Sequence, residues 1–191
     1  MGLGLLSLQP LAYSQDYRKI HADMIVVDGH NDVIYESIFQ GKDIGQRLGS
    51  GATDIPRLKE GGVDVQVFAV WSDDAKWKNG AFKHANAQID ALEKMIATNA
   101  AEIALAKSTA DIEAILKTGK ISAVIGVEGG NMIEGSIDNL VQLHERGAKY
   151  LTLTWNYNVP WASCGAMESK KMDSKAKGLT ATAIHEFPCG V

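Results

Sequence analysis

The stretch Met24–Asp32, reading M-I-V-V-D-G-H-N-D, most constrains what this chain can fold into. Four apolar residues, Met24 to Val27, predict a short buried strand, and ligand-type side chains follow at once. Along an extended chain successive side chains alternate faces, which sets Asp28, His30 and Asp32 on one face and Gly29 and Asn31 on the other. Gly29 lets the backbone bend as the strand ends. An imidazole and a carboxylate two residues apart on one face suit a single divalent cation, zinc or one of its neighbours. Polar groups that merely cap a strand end would give the same short pattern. A metal site therefore needs a third ligand from elsewhere.

A second strand of the same design supplies one. Ile121–Gly130 reads I-S-A-V-I-G-V-E-G-G, a β-branched run that ends in Glu128 and two glycines. In parallel α/β sheets and barrels, chemistry gathers at the carboxyl ends of the strands. Two strands that each finish in ligand residues before small ones fit that arrangement.

Between and around them the chain alternates. A charged segment, Asp16–Asp23, predicts a helix leading into the first strand, with His21 on its surface. Tyr35–Gly51, with four glycines and several charges, reads as a long loop of the kind that builds active sites. Pro56 and Gly61-Gly62 bracket a helical turn before a second strand, Val63–Trp71. Ala81–Ala100 predicts a helix with Ala85, Ile89, Leu92 and Ile96 on one face and His84 at the surface. Ser108 with Asp111 predicts a capping box for a helix ending near Gly119. After the strand that ends at Glu128, Ser136–Arg146 predicts a helix stopped by Gly147. Its predicted inner face holds Ile137, Leu140, Val141 and a half-buried His144. Tyr150–Trp155 reads as the fourth strand. Strands joined by helical crossovers imply a parallel sheet. Four such units are about half of an eight-stranded barrel.

Three motifs, V-D-G-H-N-D at Val27–Asp32, G-V-E-G-G at Gly126–Gly130 and Y-L-T-L-T-W-N at Tyr150–Asn156, carry a resemblance. Together with the stretch Thr53–Trp71, they resemble the membrane (renal-type) dipeptidase family, peptidase family M19 of the amidohydrolase superfamily. The resemblance runs from about Tyr17 to about Thr180. It implies an α/β fold, the amino-terminal half of a TIM-like (β/α)8 barrel. It also implies two zinc ions and hydrolysis of a dipeptide's peptide bond by a hydroxide held between them. The family's first-strand ligands map onto His30 and Asp32. Its bridging glutamate, a metal ligand and catalytic group, maps onto Glu128. Asp28 is a candidate to support His30 from behind. Where some members carry a substrate-contacting histidine after the fourth strand, this chain has Trp155, which either packs over a substrate or caps the barrel mouth. Tyr157 and Trp161 leave the same alternatives open. The family takes two further zinc ligands from later histidines, and only His185 follows the fourth strand here. Intact relatives also raise the expectation of a homodimer.

Composition narrows the partners. A net charge of −4 and a 46% apolar content over 191 residues give no electrostatic case for nucleic acid or an anionic membrane. No apolar run reaches the roughly 20 residues of a spanning helix. Two cysteines, Cys164 and Cys189, allow one bridge without specifying it. Residues 1–14 resemble a secretory signal: Gly2–Ala12 is apolar, and Ala12-Tyr13-Ser14 puts small residues before Gln15. Export to the periplasm or cell exterior is the resulting expectation. Residues 15–180 form the partial barrel domain. The tail, 181–191, departs from the family pattern, as a truncated or frameshifted reading of a longer dipeptidase would. Two rivals stand beside a zinc dipeptidase: another metal-dependent amidohydrolase, and a non-catalytic exported binding protein.

Overall fold

The computed structural model describes residues 13–165 and 178–179. Residues 1–12 of the signal-like segment, the tail 181–191, His185 and Cys189 lie outside the described residues. The chain alternates strand and helix as the hydrophobic pattern requires. The described strands are β1 (Val27–Asn31), β2 (Val65–Trp71), β3 (Ile103–Leu105), β4 (Ile121–Glu128) and β5 (Ala148–Thr152). The α-helices are α1 (Tyr13–Asp23), α2 (Ile55–Glu60), α3 (Ala81–Thr98), α4 (Thr109–Leu116) and α5 (Ile137–Arg146). All pairings in the sheet are parallel. The order runs β1-β2-β4, after which β3 pairs with the first residues of β4 and β5 with its last. β3 is a correction to the predicted four strands. Three residues are too few for a periodic signal, and pairing with Ile121–Ala123 makes them a strand.

Both faces of β2 and β4 are covered, which explains their near-continuous apolar sequences. Phe68, Val70, Ile125 and Val127 face the layer that holds Ala85, Ile89 and Leu92 of α3 and Leu143 of α5. On the opposite face Val65, Val67 and Val124 pack with Ile112, Ile115 and Leu116 of α4. The helix signals hold where local chemistry sets them. Asp54 caps α2 by accepting from the Arg57 backbone N–H, and Ser108 and Ser136 cap α4 and α5 in the same way. Gly147 ends α5 with φ of 118°, a conformation that favours glycine.

Several expectations require correction. The first strand begins at Val27 rather than Met24, and Met24, Ile25 and Val27 are exposed instead of buried. β1 pairs only with β2 among the described strands, so no second neighbour covers its far edge. The Tyr35–Gly51 segment is not simply a loop. A π-helical turn, Ile34–Ile38, opens just before it, and Ile34, Ile38 and Ile44 are buried core residues. Those isoleucines bury apolar surface that the glycine-rich composition obscures. In α5 the buried residue is Leu143, while Ile137, Val141 and His144 are exposed. The fourth predicted strand ends at Thr152, before Trp155.

His84 is buried, not at the surface. Its ring stacks on Trp77 with centroids 4.0 Å apart and meets Tyr35 and Phe39 edge-on. Burial, with the nearby Lys76 charge, pushes its pKa below the ordinary histidine value. His21 is exposed as expected, its Nε2 2.9 Å from the Gly61 carbonyl.

Candidate metal centre

His30 stands near the end of β1, Asp32 just after it, and Glu128 is the last residue of β4. β2 lies between these two strands, and its Trp71 is the register partner of Glu128. The fold thus brings Glu128 to the His30–Asp32 pair, which lies almost 100 positions earlier in sequence. His30 Nε2 is 3.3 Å from an Asp32 oxygen and 3.2 Å from a Glu128 oxygen. One ligand atom from each of the three lies within 4.8 Å of the others. Two ligands each about 2.1 Å from a shared ion lie roughly 3.0–3.4 Å apart in octahedral or tetrahedral geometry. The observed spacing and the nitrogen-plus-carboxylate donor set therefore fit a divalent cation.

Asp28 is not in this cluster. Its Oδ1 accepts from the His30 backbone N–H at 3.2 Å and does not support the ring. The cause is a bulge. Asp28 pairs with Gln66 and Asn31 with Phe68, so three steps along β1 match two along β2. The extra residue breaks strict alternation and sets Asp28 and Asn31 on the helix-side face. Asn31 confirms this by donating to Thr53 Oγ1 at 3.0 Å and accepting from the Val33 N–H.

The ring's own partner is Tyr150, whose hydroxyl lies 3.1 Å from His30 Nδ1. In the sequence Tyr150 marks the start of the fourth predicted strand and of the motif Y-L-T-L-T-W-N, with no role at the site. The available signal was Gly126: it pairs in register with Tyr150, and a Cβ there would sit 2.1 Å from the tyrosine ring. Burial, followed by the charges of Glu128 and Asp32, pushes the Tyr150 pKa above the usual phenol value. Gly129, after the ligand glutamate, donates its N–H to Thr152 Oγ1 at 2.8 Å, tying β4's end to β5.

Trp155 packs against Trp71 with ring centroids 5.2 Å apart, and Trp71 in turn contacts Tyr35 at 4.6 Å. An aromatic row thus stands beside Glu128. Trp161 is buried in the core and Tyr157 is partly exposed. Cys164 is a free, buried thiol that donates to the Trp155 carbonyl at 3.1 Å. A cavity of about 830 Å³ opens among the loops that follow β2, β4 and β5, lined by Asp74, Trp77, Asn131, Tyr157 and Trp161. None of the three ligands lines it, so the metal assignment rests on ligand geometry and not on this space. Burial, then the adjacent Asp73 charge, pushes the Asp74 carboxyl up against the opposing pull of the Tyr157 backbone N–H.

A parallel α/β sheet with nitrogen and carboxylate side chains gathered at its strand ends is the arrangement in which barrel-class metalloproteins build their sites. The chain belongs to the membrane dipeptidase family, peptidase family M19, whose model matches residues 14–184. Dipeptidase 3 of Macaca fascicularis is 30% identical over 165 residues, covering 83% of this chain and 33% of that protein. Human dipeptidase 3 is 30% identical over 162 residues, covering 82% and 32% respectively. The chain thus spans about a third of the length of these curated relatives. Among solved structures, the probable dipeptidase PvdM from Pseudomonas aeruginosa superposes with a TM-score of 0.69 at 16% identity, over 78% of this chain and 39% of its own. A metallopeptidase from Rhodobacter sphaeroides, liganded with a phosphinate mimic of L-Ala-D-Ala, gives 0.62 at 21% identity, over 73% and 48%. These likenesses establish the fold and its partial extent.

Proposed function

We propose that this chain carries the first-metal half of a zinc dipeptidase site, with His30, Asp32 and Glu128 as ligands. The observation that carries it is the convergence of three ligand atoms within 4.8 Å at the ends of β1 and β4. Zinc bound there would polarise a peptide carbonyl and lower the pKa of a water. His30 contributes a neutral nitrogen through Nε2, and Asp32 balances charge beside it. Glu128 has two oxygens, so its carboxylate can serve one ion and reach toward a second. Ligands sufficient for that second ion are not found among the described residues, and we assign them to chain outside those residues. Trp155 and Trp71 would wall the space over the carboxylates and keep water from a dipeptide's side chain. The signal-like start, residues 1–14, supports export, so we place the protein outside the cytoplasm.

Calorimetry on the folded chain tests the ligands. Wild type should take up zinc, His30→Ala should lose most of that affinity, and equal uptake by the two would sink the assignment. Substrate class is tested by a phosphinate dipeptide mimic of the kind bound by the Rhodobacter relative. It should bind the zinc-loaded chain and not Glu128→Gln. Dipeptide turnover by the 191-residue chain should stay at background even in excess zinc. Robust, chelator-sensitive hydrolysis would show that the ligand count is wrong.

A further inference from the structure

We propose that Tyr150 is a positioning residue for His30, holding the imidazole through Nδ1 in the orientation that turns Nε2 toward a cation. This rests on the metal reading above and goes beyond it, because the ligand set read from the resemblance assigns Tyr150 no role.

The geometry is built from three elements. Nε2 of His30 faces Asp32 and Glu128 at 3.3 and 3.2 Å, so the lone pair a metal needs must sit on that nitrogen. With a cation at Nε2 the other nitrogen, Nδ1, carries the proton, and the Tyr150 hydroxyl lies 3.1 Å from it. Tyr150 Oη accepts from Nδ1–H in that arrangement. A ligating histidine is ordinarily fixed by such a bond on its far nitrogen, from a carboxylate, a carbonyl or a water. Here Asp28 is diverted to the His30 backbone by the bulge, which leaves the phenol to serve.

Gly126 makes the arrangement possible. β4 and β5 pair in register at Gly126 and Tyr150, and the ring occupies the space where a Cβ would stand, 2.1 Å from the nearest ring atom. Glu128 lies two residues along the same strand, hence on the same face as the missing side chain. One strand therefore supplies both a ligand and the gap that admits the residue orienting another ligand. Any larger residue at 126 would drive the ring from His30.

The test compares wild type with Tyr150→Phe, which keeps the ring over Gly126 and removes only the hydroxyl. Two readouts are used: zinc affinity by calorimetry, and the His30 Nδ1 resonance by nitrogen-15 NMR with and without zinc. Without a cation the two carboxylates draw the proton to Nε2 and the phenol donates to Nδ1; with zinc at Nε2 the proton would sit on Nδ1 and the phenol would accept it. Wild type should therefore show a hydrogen-bonded Nδ1 in both states, with a slowly exchanging Nδ1–H when zinc is bound. Tyr150→Phe should shift the Nδ1 resonance in both states, and zinc affinity should fall by about 10- to 100-fold with the melting temperature little changed. An unchanged Nδ1 resonance and unchanged affinity in Tyr150→Phe would overturn the proposal. Gly126→Ala is the second variant: displacing the ring should reproduce the Nδ1 shift, and a wild-type Nδ1 resonance in a folded Gly126→Ala protein would equally count against it. If wild type binds no zinc, the metal reading falls by itself, and the metal-free Nδ1 resonance alone decides whether Tyr150 orients His30.

Discussion

Asp54 has no exposed surface, yet its carboxylate is satisfied on every side. It accepts from the backbone N–H groups of Leu48 at 3.0 Å and Arg57 at 2.9 Å, and an Arg57 guanidinium nitrogen lies 3.1 Å away. Burial alone would raise its pKa, but those N–H groups and the charges of Arg57 and Arg47 outweigh it and hold the carboxyl below the usual range. Asp54→Ala should lower stability by about 2 kcal/mol, read from chemical denaturation, since it removes a cap and orphans two buried donors. A depressed carboxyl pKa also stabilises only above the unfolded value of about 3.9, and that contribution is lost as pH falls through the folded value. His84 has the same sign for a different reason. Its neutral form is buried against Trp77, and unfolding frees it to protonate below about 6.5. Stability should therefore be full above that pH and decline below it toward the lowered folded pKa. The urea midpoint of His84→Gln should change less than wild type's between pH 7.5 and 5.5. Equal changes would show that His84 is not buried in its neutral form.

Helix α5 shows how an element's phase is decided by its neighbours. Ile137, Leu140, Val141 and His144 recur at helical spacing, but Leu143 is the residue fully buried against the sheet. Arg146, at the end of α5, reaches α3 through Asp90 at 2.6 Å, Glu93 at 2.8 Å and Asn86 at 2.9 Å. Those bonds help to fix the rotation of α5 about its axis, and Val141 is left outward, 47% exposed. Leu143→Ala should cost about 2–5 kcal/mol, whereas Val141→Ala should stay within about 0.5 kcal/mol. Comparable losses in thermal unfolding would restore the face that periodicity alone suggests.

Across the whole molecule, the described sheet has two open sides. β1 pairs only with β2, and β5 only with β4. Beside the β1 edge stand Met24, 58% exposed, and Ile25, 64% exposed. Unpaired strand edges flanked by apolar side chains are templates for association. Ile25→Lys should therefore slow aggregation of the 191-residue chain severalfold by light scattering while leaving its melting temperature nearly unchanged. A variant that aggregates as fast as wild type would place the association surface elsewhere.

At this same scale the division between sequence and tertiary structure becomes visible. Local chemistry was enough for the strand ends at His30 and Glu128, the caps at Ser108 and Ser136, and the stop at Gly147. Each depends on residues within a few positions, where hydrophobic period and hydrogen-bonding groups act directly. The parallel α/β order followed from the same periodicities. Other features lay beyond that range. β3 exists because Ile121–Ala123 offers it a partner, and Asp28 leaves its predicted face because one bulged residue shifts the register against β2. His84 is buried because Trp77, Tyr35 and Phe39, from two other segments, close around it. Tyr150 meets His30 across 120 positions through a gap left by Gly126. The sequence by itself determined which residues have the chemistry of cation ligands and which strand ends carry them. Only the tertiary structure decided which groups hold those ligands in place, because burial and hydrogen-bond pairing belong to segments that meet after the chain has folded.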